Sequence, residues 1–586
     1  MKLTVTGSKN SKCFYVQRSV RKDGKITSVT VEKLGNYEQV KAKANGEDPY
    51  VWAKRYVEEL NRKEYDEKKE IIVRYRPDRL LEKDCRMAYN AGYLFLQDIY
   101  YSLGLDKICK SISERHAFDY DLNDILSKLI YTRILYPASK ASSFELSKKF
   151  LEQPNFQLQD VYRALSVLAE ENDFIQAELY KNSQKVLKRQ KDILYYDCTN
   201  YYFEIEMEDE YRKYGRSKEN KPLPVVGMGL FMDQDGIPIA FNTFPGSVEE
   251  GTLIPLEKKI IRDFGVENVV VCTDAGLSSA RNRRYNNLEL DGVQVRSFIT
   301  VQPLKKLKRV LLDWCLEEKG WQLPGHNRFY TLDEINEMDN KDLVFYKEKV
   351  VKEDLSKKDE KSGLKPIEQR LIVTYSVKYR DYLRHIRENQ IRRAKKMIQR
   401  GDDRIGNHQN NPRRFIAQTA YTEDGEVCDQ EVMYLNNKLI SYEEQFDGFY
   451  AVCTNLENVP VRNIIRINKK RWEIEECFRI MKTTFEARPV YLHLEDHIKA
   501  HFLICFMALF VYRILEHGLD EQYTCEQLIS TLQDMLLLRI ESSSGYTPAF
   551  TRTDLTDALH EKFGFRLDHE FIPNRSLRSI ISKSKK

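Results

Sequence analysis

The sequence predicts a multidomain α/β protein, and three observations support this prediction. The chain has 586 residues, which is more than a single hydrophobic core usually supports. Hydrophobic residues make up 42% and charged residues 31%, proportions that exclude a disordered or fibrous protein. Apolar residues recur at helical spacing from about residue 79 to residue 190 and then gather in short β-branched runs, as expected for a sheet that follows helices.

Charge and cysteine usage narrow the class of protein further. The formal net charge of +5 is too small to identify a polyanionic partner, so the local distribution of charge matters more. The longest apolar run, Phe502–Tyr512, is shorter than a membrane span and predicts a buried helix, and the first residues lack the apolar core of a signal peptide. Eleven cysteines without a CxxC pair predict reduced thiols, a cytoplasmic location and no membrane partner.

Residues 1–78 are predicted to form a small module of a β-hairpin and a helix. Phe14–Lys33 forms two alternating runs around Asp23-Gly24, which is a strong hairpin signal. The turn is basic. It could contact phosphate, or it could be an ordinary turn exposed to solvent. A charged helix is expected from Trp52 to about residue 69, followed by a strand-like run, Ile71–Val73.

Residues 79–190 are predicted to be helical and to bind DNA. Helices around Ser142–Leu151 and Asp160–Glu170 are separated by a short turn, which permits a helix-turn-helix with Val161–Arg163 near the start of its second helix. An ordinary helical bundle produces such pairs as well, so that alternative stays open.

Residues 191–304 are predicted to form the first part of a mixed sheet. The expected strands are Ile193–Tyr196, Val225–Asp233, Ile237–Thr243, Val269–Cys272 and Ser297–Val301, with a helix at Leu253–Phe264. Short β-branched runs bounded on both sides are typical of buried strands. Asp197 follows the first of these strands, and Asp274 follows the fourth.

The composition shifts at residues 305–445, where the chain becomes highly charged. A strand is expected at Leu371–Val377 and a basic helix at Tyr379–Arg400, whose cations suit a phosphate backbone or an ordinary solvated face. Residues 446–515 are expected to add a buried strand at Gly448–Thr454 and an apolar helix at Leu503–Leu515. Residues 516–586 are predicted to be helical, with a frayed end.

The helix predicted at Arg471–Lys482, RWEIEECFRIMK, separates two kinds of side chain. Its apolar face comprises Ile474, Cys477, Phe478, Met481 and, just beyond it, Phe485. A neighbouring stripe comprises Arg471, Glu475, Arg479 and Lys482. The simplest interpretation of that stripe is a surface face with i,i+4 pairs, Arg471–Glu475 and Glu475–Arg479.

Three carboxylates, Asp197, Asp274 and Glu475, form the candidate site. Acids at strand ends and on a nearby helix can converge, and they repel one another unless a divalent cation lies between them. Oxygen ligands suit Mg²⁺ or Mn²⁺, and two such ions about 4 Å apart can cleave a phosphodiester. Each aspartate alone is equally compatible with a turn or a helix cap.

The segments YYDCTNYYFE, VVVCTDAGLSS and RWEIEECFRIMK together resemble the DDE transposases of bacterial insertion sequences. The branch that they resemble carries a Tyr-x2-Arg-x3-Glu-x6-Lys signature. Arg471, Glu475 and Lys482 keep that spacing, whereas Asn468 occupies the position of the tyrosine.

This resemblance implies a ribonuclease H-like mixed-sheet core with a long insertion at residues 305–445. It implies that Asp197, Asp274 and Glu475 are catalytic and hold two Mg²⁺ or Mn²⁺ ions. DNA phosphate would be bound by Arg471, Lys482 and Arg479. Trp472 would either stack on a displaced base or pack half-buried in the fold.

The implied function is a DNA transposase of the bacterial cytoplasm, acting at the nucleoid. It would cut phosphodiester bonds at the ends of an insertion sequence and join the 3′-hydroxyl ends to target DNA. Its partners would be terminal inverted repeats, target DNA and further copies of the chain, in a homodimer or larger synaptic assembly. Two alternatives stay open: a structure-selective nuclease without strand transfer, and a DNA-binding regulator that has lost catalysis.

Overall fold

The computed structural model describes residues 1–586 except 9–10, 23–24, 68–70, 74–76, 216, 219–220, 248–250, 267, 292, 354–360, 362–364, 401–410, 422–426 and 541–544. The described residues divide into two units. The first unit comprises residues 1–87, 538–548 and 569–576. The second comprises residues 88–537, 549–568 and 577–586.

The first unit begins with a three-stranded antiparallel sheet. Its elements are β1 (Lys2–Ser8), β2 (Ser11–Lys22), β3 (Lys25–Asn36), α1 (Tyr37–Lys43) and α2 (Pro49–Glu67). Phe14, Val16 and Val40 are fully buried between the sheet and the helices. The predicted hairpin is therefore confirmed as β2–β3, while its Asp23-Gly24 turn lies outside the described residues.

The strand predicted at Ile71–Val73 is wrong. These residues adopt no regular secondary structure, and Ile72 is 81% exposed. Three β-branched residues favour a strand only where a neighbouring strand can pair with them, and that partner is missing in the described part of this module.

The second unit begins with a short strand and a helical region. Its elements are β4 (Ala88–Asn90), α3 (Tyr93–Ser102), α4 (Leu105–Ser113), α5 (Leu122–Leu135), α6 (Lys140–Ser147), α7 (Leu158–Glu170) and α8 (Asn172–Val186). Helices α3, α5 and α7 pack against the long apolar helix Glu495–Gly518. That helix is long and apolar enough to span a membrane, but 94% of its apolar window is buried inside the protein. It is a core helix, as the sequence predicts.

The compact helix-turn-helix predicted for α6 and α7 is wrong. Residues 148–157 separate the two helices, whereas such motifs use a turn of about three to four residues. The connection has packing of its own, because Phe150 is fully buried against Tyr93 and Tyr131. The Asn155 backbone N–H also donates to the Asp124 carboxylate at 2.8 Å.

The sheet of the second unit contains the arrangement of a ribonuclease H-like core. Its elements are β5 (Ile193–Tyr202), β6 (Val225–Met232), β7 (Pro238–Pro245), α9 (Leu253–Phe264), β8 (Val269–Thr273), α10 (Ala280–Tyr285), β9 (Leu288–Leu290) and β10 (Val293–Val301). The spatial order is β7-β6-β5-β8-β10. The first three strands are antiparallel, and β8 and β10 run parallel to β5. The predicted strands and helix of this segment are thus confirmed.

The charged segment after residue 304 extends the same sheet. Its elements are α11 (Arg309–Leu316), β11 (Trp321–Gln322), β12 (Phe329–Tyr330), α12 (Leu332–Asn336), β13 (Phe345–Lys352), β14 (Glu368–Tyr375), α13 (Val377–Gln399), β15 (Ile416–Tyr421), β16 (Val427–Leu435), α14 (Asn437–Glu444) and β17 (Phe449–Thr454). The sheet continues in the order β10-β17-β14-β13-β11-β12. Trp321, fully buried, centres a second core between these strands and their helices.

Helices dominate the remainder of the chain. The elements are α15 (Val461–Lys470), α16 (Trp472–Arg479), a π-helical segment (Ile480–Thr484), α17 (Glu495–Gly518), α18 (Cys525–Asp534), β18 (Leu536–Ile540), β19 (Gly545–Pro548), α19 (Asp554–Phe563), β20 (Ile572–Pro573) and α20 (Asn574–Lys583). The frayed end predicted there is wrong, because Ser584 is fully buried and the Lys585 ammonium pairs with Glu152 at 2.6 Å. Ten of the eleven cysteines are seen to be free thiols.

Glu257 on α9 provides a test of this core. Its side chain is fully buried, Oε2 accepts a hydrogen bond from Asn286 at 3.0 Å, and Oε1 has no partner among the described residues. Burial raises its pKa from 4.5 to about 7. The neutral acid is therefore favoured in the folded state, and its contribution to stability is lost as the pH rises through 7.

We expect Glu257→Gln to increase the free energy of unfolding by about 2–3 kcal/mol at pH 8, with a gain that shrinks toward pH 5. Urea denaturation at the two pH values measures the difference. Glu289→Gln, at an exposed position on β9, is the control and should change neither value. Equal effects of Glu257→Gln at both pH values would contradict the expectation.

Candidate active site

Asp197 and Asp274 lie side by side on neighbouring strands. The parallel pairing of β5 with β8 ends at Tyr196 opposite Thr273, and the two aspartates are the next residues of their chains. Asp197 was predicted at the end of its strand, but β5 continues to Tyr202 because its other edge still pairs with β6. What brings the two aspartates together is the end of the parallel pairing rather than the end of a strand.

Arg471 connects Asp274 with Glu475. It lies between α15 and α16, and its guanidinium Nη1 is 3.6 Å from Asp274 Oδ1 and 3.2 Å from Glu475 Oε1. The arginine side chain is only 16% exposed, whereas that of Glu475 is 58% exposed. The predicted Arg471–Glu475 pair is confirmed, and the same cation reaches one of the two sheet aspartates.

The predicted pair between Glu475 and Arg479 is wrong. The Arg479 guanidinium bonds Glu476 instead, with Nε 2.8 Å from Oε2, and its side chain is 60% exposed. An i,i+3 partner on the same turn satisfies the cation, so Arg479 is not drawn toward the carboxylates.

The predicted apolar face of this helix is confirmed. Its members are all buried: Ile474, Cys477, Phe478, Met481 and Phe485. A segment held on this side by close packing keeps the opposite side chains in defined positions.

The surroundings of Asp197 shift the pKa of its carboxyl group. Burial raises its pKa to about 6, and the nearby Asp274 adds to the increase. Lys218, the hydrogen bond from the Cys198 backbone N–H and Arg471 oppose it. A half-buried carboxylate with a raised pKa marks a place where additional positive charge would be favourable.

Lys482 lies on the Asp197 side of the site. It belongs to the π-helical segment Ile480–Thr484, and its ammonium is 5.2 Å from the centre of the Tyr201 ring. Burial lowers its pKa to about 8, the charge of Lys218 lowers it further, and Asp197 opposes the change. Arg471 and Lys482 therefore approach different carboxylates of the set.

Lys218 was missed in the sequence. Its backbone N–H donates to Asn200 Oδ1 at 3.1 Å, and its ammonium contacts the carbonyl oxygen of Cys198, next to Asp197. The available signal was the basic stretch at residues 215–221, in the connection between two strands of the sheet. Long connections at the edge of a sheet often carry functional residues.

Trp472 is 60% exposed, so the predicted half-buried packing is wrong. It lines a cavity of about 610 Å³ together with Arg471 and Glu475. Lys378 and Tyr382, from the basic helix α13, line the same cavity. The charged segment at residues 305–445 thus supplies a wall next to the carboxylates.

Asn468, at the position of the signature tyrosine, lies beside a different tyrosine. The Tyr450 hydroxyl, from β17, is close to Asn468, Arg471 and Asp274. Burial raises the pKa of Tyr450, and Asn468 and Arg471 oppose that increase. The hydroxyl group of Tyr450 therefore lies near Arg471, although Asn468 occupies the position of the signature tyrosine.

The basic helix α13 divides into two parts. In its first half, Arg387 forms a buried bidentate pair with Asp447, with both N–O distances 2.6 Å, and Arg380 pairs with Asp381. Nearer its end, four cations are exposed: Arg392, Arg393, Lys395 and Lys396. This second part presents four neighbouring cations to solvent.

The kinds of donor in the site suit a divalent cation, and in this structure Arg471 lies between two of the carboxylates, Asp274 and Glu475. Asp197, Asp274 and Glu475 offer oxygen donors, and burial disfavours the charged form of Asp197 unless a cation compensates. Elsewhere in the described chain, Asp557, His560 and Asp568 lie within 4.8 Å of one another. Their carboxylates are already paired with Arg552 and Arg566, so that trio is a poor cation site.

We expect Mn²⁺ to raise the melting temperature of the wild-type protein and Glu475→Gln to reduce that increase, because ligand removal weakens the linkage of binding to folding. The neighbouring Glu476→Gln is the matched control, since Glu476 pairs with Arg479 instead. Differential scanning fluorimetry over a Mn²⁺ titration measures both variants. An identical Mn²⁺ response in Glu475→Gln and wild type would contradict Glu475 as a ligand.

A family model described as "Transposase DDE domain" matches residues 189–511, a span that contains all three carboxylates. No curated protein sequence matches the chain. A cryo-EM structure of the piggyBac transposase synaptic complex with hairpin DNA is similar at a TM-score of 0.35 and 9% identity, over 84% of each chain. The family match extends over more than half of the sequence, and the chain therefore belongs to the transposase DDE domain family.

Proposed function

We propose that this DDE transposase cuts phosphodiester bonds at the ends of a bacterial insertion sequence and joins the resulting 3′-hydroxyl ends to target DNA. The observation that carries the proposal is the meeting of Asp197 and Asp274 at the end of one parallel strand pair, with Glu475 linked to Asp274 through Arg471. This arrangement supports the set of three carboxylates that the sequence motifs predict.

Asp197, Asp274 and Glu475 would hold two Mg²⁺ or Mn²⁺ ions. Such ions, when bound, lower the pKa of a nucleophilic oxygen and stabilise the charge on the leaving oxygen. The chain's own contribution is to keep the three carboxylates together. Asp197 lies on β5, Asp274 directly follows β8, and Glu475 lies on a helix whose opposite face is buried.

Arg471 and Lys482 would stabilise phosphate charge beside the carboxylates. Arg471 contacts Asp274 and Glu475, while Lys482 is near Asp197, so cations flank the set from both sides. Charged donors in a partly buried site act strongly on developing charge. Arg471 also orients Glu475 through their 3.2 Å contact, whereas Arg479, paired with Glu476, takes no part in this proposal.

DNA contacts are proposed on three surfaces. The helical region at residues 79–190 and the exposed cations at the end of α13 suit a phosphate backbone, and Trp472 is exposed enough to stack on an unpaired base. The partners would be terminal inverted repeats, target DNA and a second copy of the chain in a synaptic assembly. This activity would take place at the nucleoid, in the bacterial cytoplasm.

We expect Asp197→Asn, Asp274→Asn and Glu475→Gln each to abolish Mg²⁺-dependent cleavage of a duplex from the end of the encoding element, while leaving DNA binding intact. Carboxamides keep the shape of these side chains but remove the charge that holds the ions. Gel electrophoresis of the cleaved strand and a binding titration measure the two effects. Glu476→Gln should cleave at the wild-type rate, and near wild-type cleavage by any of the three other variants would remove that residue from the site.

We expect Lys482→Ala to slow the same cleavage by about 10²–10³-fold, because it removes one cation without removing a ligand of the ions. Single-turnover cleavage measures the rate separately from DNA binding. Lys470→Ala is the control, because Lys470 bonds the carbonyl oxygen of Gln234 rather than a carboxylate of the site. An unchanged rate in Lys482→Ala would return this lysine to a purely structural role.

Strand transfer separates the proposal from a nuclease of the same fold. A transposase joins precut 3′-hydroxyl ends to a target duplex, whereas a structure-selective nuclease only cuts. A regulator that has lost catalysis would bind the ends and do neither. Short inverted repeats that bracket the reading frame in genomic DNA would support the insertion-sequence assignment independently of these assays.

A further inference from the structure

A second group of buried cations lies beyond the segment that bears Lys482. A cavity of about 330 Å³ is lined by residues of α5, α6, α7 and α17 and by residues 486–492. Arg133, Lys140 and His501 are among its lining residues, and none of the three is more than 4% exposed. The walls of this cavity are therefore charged and polar as well as buried.

Lys140 is the unusual member of this group. It is the first residue of α6, and in the described part of the chain no acid or hydrogen-bond acceptor pairs with its ammonium. Burial lowers its pKa to about 7, and the charge of Arg133 lowers it further. An unpaired cation at this depth is costly, and an anion in the cavity would remove the cost.

The neighbouring groups do not neutralise Lys140. Arg133 donates to the carbonyl oxygens of Phe485 at 3.0 Å and Ala138 at 2.9 Å, and its buried Nε has no partner among the described residues. Burial, together with the charges of Lys140 and Arg133, holds the pKa of His501 well below its usual value, so this ring is neutral. The acid on the lining, Glu486, is exposed.

We propose that this cavity binds a backbone phosphate of the DNA on which the transposase acts. This inference rests on the proposed function and adds to it one contact between the protein and a DNA phosphate. Lys140 and Arg133 supply the charge, and the first turn of α6 adds the positive end of a helix. The rim carries two exposed aromatic residues, Tyr162 at 36% and Tyr491 at 65%, which suits an extended polymer better than a free ion.

Such a contact would align the DNA with the carboxylates. Arg133 donates a hydrogen bond to the carbonyl oxygen of Phe485, three residues beyond Lys482. The same arginine therefore lines the cavity and contacts the segment that bears Lys482. Phosphate contacts fix the register of a protein on DNA without reading its sequence. The contact should therefore affect DNA of any sequence equally.

The test measures binding of the full chain to a labelled duplex of arbitrary sequence, without divalent metal, over a series of salt concentrations. Losing one phosphate contact should make the slope of log Kobs against log salt shallower by about 0.9 in Lys140→Gln. The matched control is Lys319→Gln, an exposed lysine outside the three surfaces proposed to contact DNA. Its slope should equal that of the wild type.

Each alternative outcome overturns a defined statement. An unchanged slope in Lys140→Gln with normal wild-type binding overturns the phosphate site alone. Absence of wild-type binding to any duplex, including one from the ends of the element, overturns the proposed function as well. If inorganic phosphate raises the melting temperature of the wild type but not of Lys140→Gln, and the slopes are equal, the site takes free phosphate and the DNA assignment is overturned.

A second measurement covers the case in which Lys140→Gln does not fold. Reductive methylation of the wild-type protein, followed by mass spectrometry, should modify Lys140 less in the presence of the duplex than in its absence. Lys319 should be modified equally in both. Equal modification of Lys140 with and without DNA would overturn the proposal.

Discussion

The arrangement of the site depends on one guanidinium, that of Arg471. It approaches Asp274 and Glu475 at 3.6 and 3.2 Å, and its charge also acts on Asp197. Three carboxylates drawn together without a cation would repel one another, and Arg471 offsets that repulsion in the protein itself. The helix after Arg471 cannot rotate away, because Ile474 and Cys477 are fully buried on its other face. Packing and charge thus act together to assemble the site.

Positive charge continues from this site into the helical region. Lys218 lies close enough to Lys482 for its charge to lower the pKa of Lys482. Beyond Phe485, Arg133 and Lys140 line a second cavity. Arg133 and Lys140 are buried, and buried cations are unfavourable unless an anion compensates them. The charged segment at residues 305–445 adds a third contribution, because α13 lines the cavity next to Glu475.

Much of the secondary structure was predictable because it follows from the local periodicity and composition of the sequence. The strand at Val269–Thr273 and the helix at Leu253–Phe264 follow from period and composition, and the buried face around Phe478 follows from helical spacing. Errors occurred where a distant partner decides the outcome. Arg479 bonds Glu476, Trp472 is exposed, and the end of the chain is anchored by Glu152. No local pattern contains these contacts, since each depends on which of several possible partners the fold brings near.

The sequence by itself determined the family, the order of its motifs and the candidate residues Asp197, Asp274 and Glu475, because motif spacing is a property of the chain alone. Only the tertiary structure decided how these residues meet. Strand register makes the two aspartates neighbours at the end of the β5–β8 pairing, and the position of Arg471 between α15 and α16 brings its cation close to both Asp274 and Glu475. Lys140 came from the tertiary structure alone, because its burial is a property of packing rather than of sequence.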